Sequence, residues 1–479
     1  MRILLAMALA ARVAGELHAQ APRPLSAADS TLITAVLLAE DRRDSTDVAL
    51  RRAATHPDAR VQALAWRAVQ RIRDPRFVAR DSLAALPLPP QWPEPAWRLR
   101  LRALTPRSSC DDILTALGDA SWVVRLRAAE LGAARCAADG RLAAQAEQWI
   151  ATLPADRDRR LRDGVSWHAA ARGLETLAHT TPAVAGRQVA RFASDAHPAL
   201  RRAAARAARQ LRDTAVLRSL VTDADPNVRE AALTGLSELA GRADDATFIR
   251  ALDDSAAQVV RVAALALRGT TAPEAATRAL AAFARWVARG DASAHDVRVA
   301  LLAVAGRPAT EDRPPRVTVE APPDLVALAL GAPRYLRVEM AAEHGGGHFT
   351  VRLRGDVAPM MAARILALAR RGYYDGLTWH RVEHDFVVQG GSPLANEYVG
   401  LAAFLRDELG TIPHPRGTIG MSTRGHDTGD AQWFINLRDN ARLLRDYTVF
   451  AEVVEGIEVV DAIMEGDRIA AIREETTRR

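Results

Sequence analysis

The sequence contains no lysine: all 64 basic residues are arginine, set against 58 acidic ones, so 479 residues carry a formal net charge of only +6. A charge that small, without arginines clustered among aromatics, makes no phosphate-tracking stripe, and no nucleic acid partner is expected. Cysteine is nearly as scarce, with only Cys110 and Cys136. Neither has another cysteine or a histidine at zinc-ligand spacing, so no metal is expected. Long apolar runs are missing too: residues 3–11 are too few to span a bilayer as a helix, and no later segment approaches that length. With no glycine-rich phosphate loop and no nucleophile elbow, nothing in the chain asks for a cofactor.

What is present is ordinary for folded protein, 49% apolar and 25% charged residues, on a chain long enough for two or more domains. The start, MRILLAMALAARVAGELHAQ, has a basic residue, a short apolar run and small residues up to Ala19, and reads as a secretory signal peptide over 1–19, the alternatives being an uncleaved anchor or an ordinary amphipathic helix. The expectation is an exported protein, periplasmic or extracellular, with no integral membrane segment after cleavage. An even cysteine count in such a chain invites a disulfide. Cys110 opens one predicted helix and Cys136 closes the next, ends that meet in an antiparallel hairpin; two separate buried thiols are the alternative.

From about 28 to 306 the chain repeats itself. An acidic or polar turn is followed by an arginine and an alanine-rich helix, as in HPDARVQALAWRAV from His56, GDASWVVRLRAAELGA from Gly118, SDAHPALRRAAARAA from Ser194, DADPNVREAALTGL from Asp223 and DDSAAQVVRVAALAL from Asp253. The intervals Arg201–Arg229 and Arg229–Arg261 are about one helical hairpin each, the period of a solenoid whose hairpins bury their apolar faces only by stacking. The run resembles HEAT-like repeats in which the second helix begins near D-x-x-x-V-R-x-x-A. Such a concave array implies a possible protein partner on its surface. The recurring arginines, Arg125, Arg201, Arg229 and Arg261, read as a structural ladder to the next repeat in preference to a site for an acidic ligand. The prolines at 87, 89, 90, 93 and 95 mark 85–106 as a break.

Prolines at 308, 314, 315, 322, 323 and 333 mark a linker over 307–333, with a short helix at 324–330. Beyond it the period changes to two. Strands are expected at 336–340, 348–353, 378–382, 386–389, 417–422, 432–436 and 447–454. Helices are expected at 356–371, with Asp356 as N-cap, and at 457–464.

The ordered segments APMMAARILALARRGYYDGLTWHRVEHDFVVQGGSP, RGTIGMS, AQWFIN and YTVFAEVVEGIEVVDAI resemble the cyclophilins, the family of peptidyl-prolyl cis-trans isomerases. The resemblance implies a multidomain protein: an all-α HEAT-like solenoid followed by a cyclophilin-like antiparallel β-barrel capped by two helices. The barrel is expected over 334–468, with 469–479 as a C-terminal tail. It implies an isomerase acting on proline-containing polypeptides without metal or cofactor, the alternative being a peptide-binding chaperone or scaffold with little activity. Carried over by position, Arg381, Phe386 and Gln389 are the catalytic group. Gln432, Phe434, Leu443, Tyr447, Ser422 and Thr423 bind substrate, together with Arg442, which stands where the family usually has an aromatic residue. His380 is expected to face away from Arg381. Val387, Thr423, Ser422 and residues 392–410 also depart from the family pattern.

Overall fold

The computed structural model describes residues 24–74, 88–158, 165–312, 321–401 and 403–475. The expected signal peptide, residues 313–320 of the linker and the last four residues lie outside them.

The first half is helical. Helices α1 (Ala27–Arg42), α2 (Val48–Ala54) and α3 (Ala59–Arg73) form one group, followed by α4 (Ala96–Ala103), α5 (Cys110–Ala116), α6 (Trp122–Arg135) and α7 (Gly140–Ala151). Then come α8 (His168–Thr180), α9 (Pro182–Ala193), α10 (Pro198–Leu211), α11 (Thr214–Leu220), α12 (Pro226–Leu239), α13 (Asp245–Ala251), α14 (Ala257–Ala266), α15 (Ala275–Ala288) and α16 (His295–Val304). Helices α8, α10, α12, α14 and α16 stack in sequence as an inner layer, with α9, α11, α13 and α15 outside them. Small side chains let the layers close: Ala203, Ala204, Ala207, Ala232, Ala263 and Ala264 are almost completely buried in one continuous core. Turn aspartates cap second helices in part: Asp58 caps α3, and Asp225 Oδ1 accepts from the amides of Asn227 and Val228, whereas His197 caps α10 and neither α6 nor α14 has a side-chain cap.

The arginine ladder forms in part. Arg201 bonds both oxygens of Asp223, and Arg229 both oxygens of Asp254, each in the turn of the next repeat. Arg261 leaves the ladder and lies 3.4 Å over the ring of Tyr398 in the second domain. Cys110 and Cys136 are joined, with Cα atoms 5.7 Å apart.

The break at 85–106 is not simply irregular, because it contains α4, which starts immediately after Pro95 where the missing amide hydrogen costs nothing. The extended residues before it strap the array to the second domain: Trp92 packs into that domain's core and donates to the Val453 carbonyl. In the linker, the expected short helix is α17 (Leu325–Leu330), whose Leu325 and Ala329 pack against α1.

The second domain is one curled antiparallel sheet: β1 (Tyr335–Met340), β2 (His348–Leu353), β3 (Trp379–Glu383), β4 (Val387–Gly390), β5 (Thr418–Met421), β6 (Trp433–Asn436), β7 (Val449–Glu455) and β8 (Ile469–Glu475), in the order β3-β4-β6-β5-β7-β2-β1-β8. The two edges approach each other where Trp379 N donates to the Asp467 carbonyl and Gly466 N to the Trp379 carbonyl. Helices α18 (Pro359–Arg370) and α19 (Ile457–Asp461) complete the domain. Two expectations are corrected. Residues 469–475 are not tail: β8 pairs along β1, with Ile469 and Ile472 fully buried. Asp356 is not the N-cap of α18, since its carboxylate is taken by Arg354; the free amides of Met360 and Met361 instead donate to the buried Glu408.

The array's inner face holds the β domain along part of its length. Arg67 and Arg71 on α3 share Glu40 and reach across to the carbonyls of Asp356, Val357 and Leu409. Fully buried Arg98 on α4 donates to the His384 and Leu437 carbonyls and to Asp461. Buried guanidinium groups with several acceptors each fix the two halves against one another, since separating them would strand desolvated polar groups.

Candidate active site

The site is written across neighbouring strands. Pairing sets Arg381 of β3 opposite Gln389 of β4, Gln389 opposite Phe434 of β6, and Phe434 opposite Gly420 of β5. Directly opposed residues share one face, so four residues distant in sequence form a single row. Gly420 ends it for a steric reason: a Cβ there would meet Phe434 Cζ at 2.3 Å. The missing side chain makes room for the ring.

Around this row lies a cavity of about 570 Å³ lined by Arg381, Phe386, Val387, Gln389, Glu397, Ser422, Thr423, Phe434, Arg442, Leu443 and Tyr447, among others. All the residues singled out from sequence therefore converge on it, except that Gln432 stands behind Gln389 and is not in the wall. One side is apolar, with Val387, Phe434 and Leu443 buried together and Phe386 and Tyr447 packed on them. Phe434 and Tyr447 meet edge to face at 5.5 Å, while the ring of His414 stacks on Phe434 at 6.1 Å. Burial pushes the His414 pKa down to about 4, so the imidazole stays neutral.

The other side is polar and connected. Arg381 Nη1 donates to Gln389 Oε1 (3.3 Å), and its Nε to Glu383 (2.9 Å) two residues along the strand. Gln389 Nε2 donates to Ser422 Oγ and to Gln432 Oε1. Gln432 Nε2 in turn donates to the carbonyls of Glu397 and Val399. That last loop is held by the array: Asn396 Nδ2 donates to Asn227 Oδ1 and Glu230 Oε2 on α12, and Arg261 covers Tyr398. Arg424, beside Thr423, bonds Asp296 and the carbonyls of Ser293 and Glu397. The departure of residues 392–410 from the family pattern thus has a structural use, as the segment that docks on the repeats.

Arg442 does not simply remove an aromatic wall. Its guanidinium lies 4.5 Å over the Phe386 ring, a planar cationic cover on the apolar pocket. His380 points to the array side, as alternation requires; both ring nitrogens are buried, and burial lowers its pKa to about 4. Glu397, His414, His426 and Asp446 were not found from sequence, having no motif of their own; they reach the site through loops ordered by tertiary contacts.

The arrangement offers a permanently charged donor beside an apolar cup, with the nearby imidazole neutral. It suits a reaction that reorganises a polar group without covalent chemistry.

The family model for cyclophilin type peptidyl-prolyl cis-trans isomerase/CLD matches residues 336–477, and that for HEAT repeats matches 188–268. A peptidyl-prolyl cis-trans isomerase of Helicobacter pylori is 35% identical over 130 residues, covering 26% of this chain and 80% of that one. Peptidyl-prolyl cis-trans isomerase B of Bacillus subtilis is 35% identical over 132 residues, 27% of this chain and 92% of that one. The crystal structure of a Cryptosporidium parvum cyclophilin aligns with 31% of this chain and all of that one, at 20% identity and a TM-score of 0.29.

Proposed function

The chain belongs to the cyclophilin-type peptidyl-prolyl cis-trans isomerases, and from that premise we propose that it turns Xaa-Pro bonds of exported polypeptides, with Arg381 as its catalytic residue and the helical array as a client-binding surface. Rotation of the Xaa-Pro amide must overcome a barrier of about 18–20 kcal/mol set by partial C–N double-bond character. In this reading the proline ring sits between Phe386, Phe434, Leu443 and Tyr447, and the preceding carbonyl turns. As the amide twists, its nitrogen becomes pyramidal and basic. The Arg381 guanidinium donates to it there, an interaction stronger in the transition state than in the ground state. Gln389, held by Ser422 and Gln432, keeps that guanidinium at the pocket edge. No proton is transferred, so the rate should not follow any titration near neutrality.

The observation that carries the assignment is the row from Arg381 through Gln389 to Phe434, a fixed cation next to an apolar cup. Export is supported by the signal-like start and by the joined Cys110 and Cys136, a bond that persists in oxidising compartments. Slow uncatalysed prolyl isomerisation, tens to hundreds of seconds, is a bottleneck for folding in such a compartment. The test of export is the protein recovered from its own cells: a mature chain beginning at Gln20 with no free thiol is expected, and an intact chain with two reduced thiols would refute it. Activity is tested by two-dimensional NMR exchange on Xaa-Pro peptides.

A further inference from the structure

Three cavities meet at Arg381 and Phe386. The prolyl pocket shares Phe386 with a cleft of about 740 Å³, and shares Arg381 and Glu397 with another of about 480 Å³; those two have Arg206 of α10 in common. In both, one wall is the β domain and the other is the array. The larger cleft runs between the β3–β4 turn, residues 383–386, and helices α6 and α8. Its array wall carries a small apolar strip on α6 among charged side chains. Val123 and Leu126 of α6 are only partly covered, beside buried Leu104, Ala171 and Met464. The lining balances five arginines, at 102, 127, 172, 206 and 438, with five carboxylates, Glu130, Glu175, Glu383, Asp385 and Glu465. Arg127 pairs with Glu130, Arg172 and Arg206 with Glu175, and Arg102 and Arg438 with Asp385. Such a cleft has no spare field for a charged ligand.

We infer that the array is the second wall of the substrate cleft, and that the enzyme takes unfolded polypeptide whose proline is flanked by apolar residues. The inference rests on the isomerase reading above. A proline seated against Phe386 leaves the chain on one side only one covered route, between the turn and α6, and apolar side chains there lose water against Val123 and Leu126. Binding energy gained remote from the twisting bond adds to kcat/KM without touching the chemistry.

The test compares two peptides with the full-length protein by NMR exchange. One is a tetrapeptide that fills the prolyl pocket alone; the other carries about ten residues, including leucines, on each side of the proline, a reach of about 33 Å per side at ~3.3 Å per residue. The expected kcat/KM ratio, long over short, is about tenfold or more. It should fall to about one in Leu126→Arg, and for wild type when the leucines become serine. The inference is overturned if the ratio is near one in wild type, if it survives Leu126→Arg, or if glutamates replace the leucines without loss. Catalysis of the tetrapeptide alone would sink the cleft and leave the isomerase reading standing; catalysis of neither peptide would sink both. Because Leu126→Arg could unfold α6, a photo-crosslinker several residues from the proline provides a second measurement. Adducts on α6 or α8 support the cleft, and adducts confined to the outer helices refute it.

Discussion

Arg98 is the sharpest probe of how the array holds the β domain. Its guanidinium is fully buried and donates at 2.9 Å to each of three acceptors, the His384 carbonyl, the Leu437 carbonyl and Asp461 Oδ1. In Arg98→Met, two of those acceptors keep a partner. Arg416 still donates to the Leu437 carbonyl at 3.1 Å and holds both oxygens of Asp461. All three bonds from Arg98 are lost, and only the Leu437 carbonyl and Asp461 have Arg416 as a second donor. A charge-assisted hydrogen bond contributes about 1.5–3 kcal/mol. Relief of the buried charge offsets part of this, and the methionine fills the stem, so a net loss of about 2–3 kcal/mol is expected. Asp461→Asn is the informative contrast. It leaves Arg98 and Arg416 close together without their shared carboxylate, and removing one partner from a buried pair costs about 3–5 kcal/mol. Urea unfolding of the two variants and wild type, read from midpoint and slope, tests the ordering. If Arg98→Met is the more damaging, or if neither lowers stability by more than about 0.5 kcal/mol, then these bonds do not fix the two halves together.

The remaining outcomes follow from other parts of the same structure. Asn396→Ala, which releases the loop from Asn227 and Glu230, should lower kcat on the tetrapeptide severalfold with little change in KM, and Glu230→Gln, which keeps a carbonyl oxygen for Asn396, should largely retain wild-type kcat; equal effects of both would refute the positioning role. Burial raises the Glu408 pKa from its ordinary 4.5 to about 7. Its folded form therefore holds a proton that the unfolded chain has lost, so its contribution is complete below about pH 4.5 and lost as pH rises through 7, on the order of 3 kcal/mol at 1.36 kcal/mol per pH unit. Urea unfolding across that range should show wild type losing stability relative to Glu408→Gln; parallel pH curves would contradict it. Replacing Cys110 and Cys136 by serine opens a loop with a sequence separation of 26, and loop entropy puts the loss at about 3 kcal/mol. Limited proteolysis between α5 and α6 should accelerate, and an unchanged cleavage rate would argue against any role for the bridge.

The β domain was legible because its strands carry period-two patterns and its motifs fall in family order. Arg381, Gln389 and Phe434 came from that order, and the register explains why they meet. Strand β8 was missed for a physical reason: a register shift at Glu339/Met340 places Ile469 and Ile472 inward at a spacing of three, so alternation is hidden. The cap of α18 was misread because Asp356 has the right residue type, but Arg354 claims it and Glu408, distant in sequence, supplies the acceptors. Least legible was the docking of the two halves. In a chain whose every cation is arginine, Arg67, Arg71 and Arg98 look like any solvated helix face, and only the fold shows which guanidinium groups are buried. The unusual segment 392–410 was visible as a departure, while its purpose depended on Asn227, Glu230 and Arg261 far away.

The central claim is that a guanidinium on β3 stabilises a twisting prolyl amide. NMR exchange on an Xaa-Pro tetrapeptide with full-length wild type and Arg381→Ala tests it directly. The wild type should speed exchange, and the variant, folded by circular dichroism, should lose about 10²–10³ of kcat, the effect of removing one preorganised donor. An Arg381→Ala protein that isomerises the peptide as fast as wild type would contradict the account.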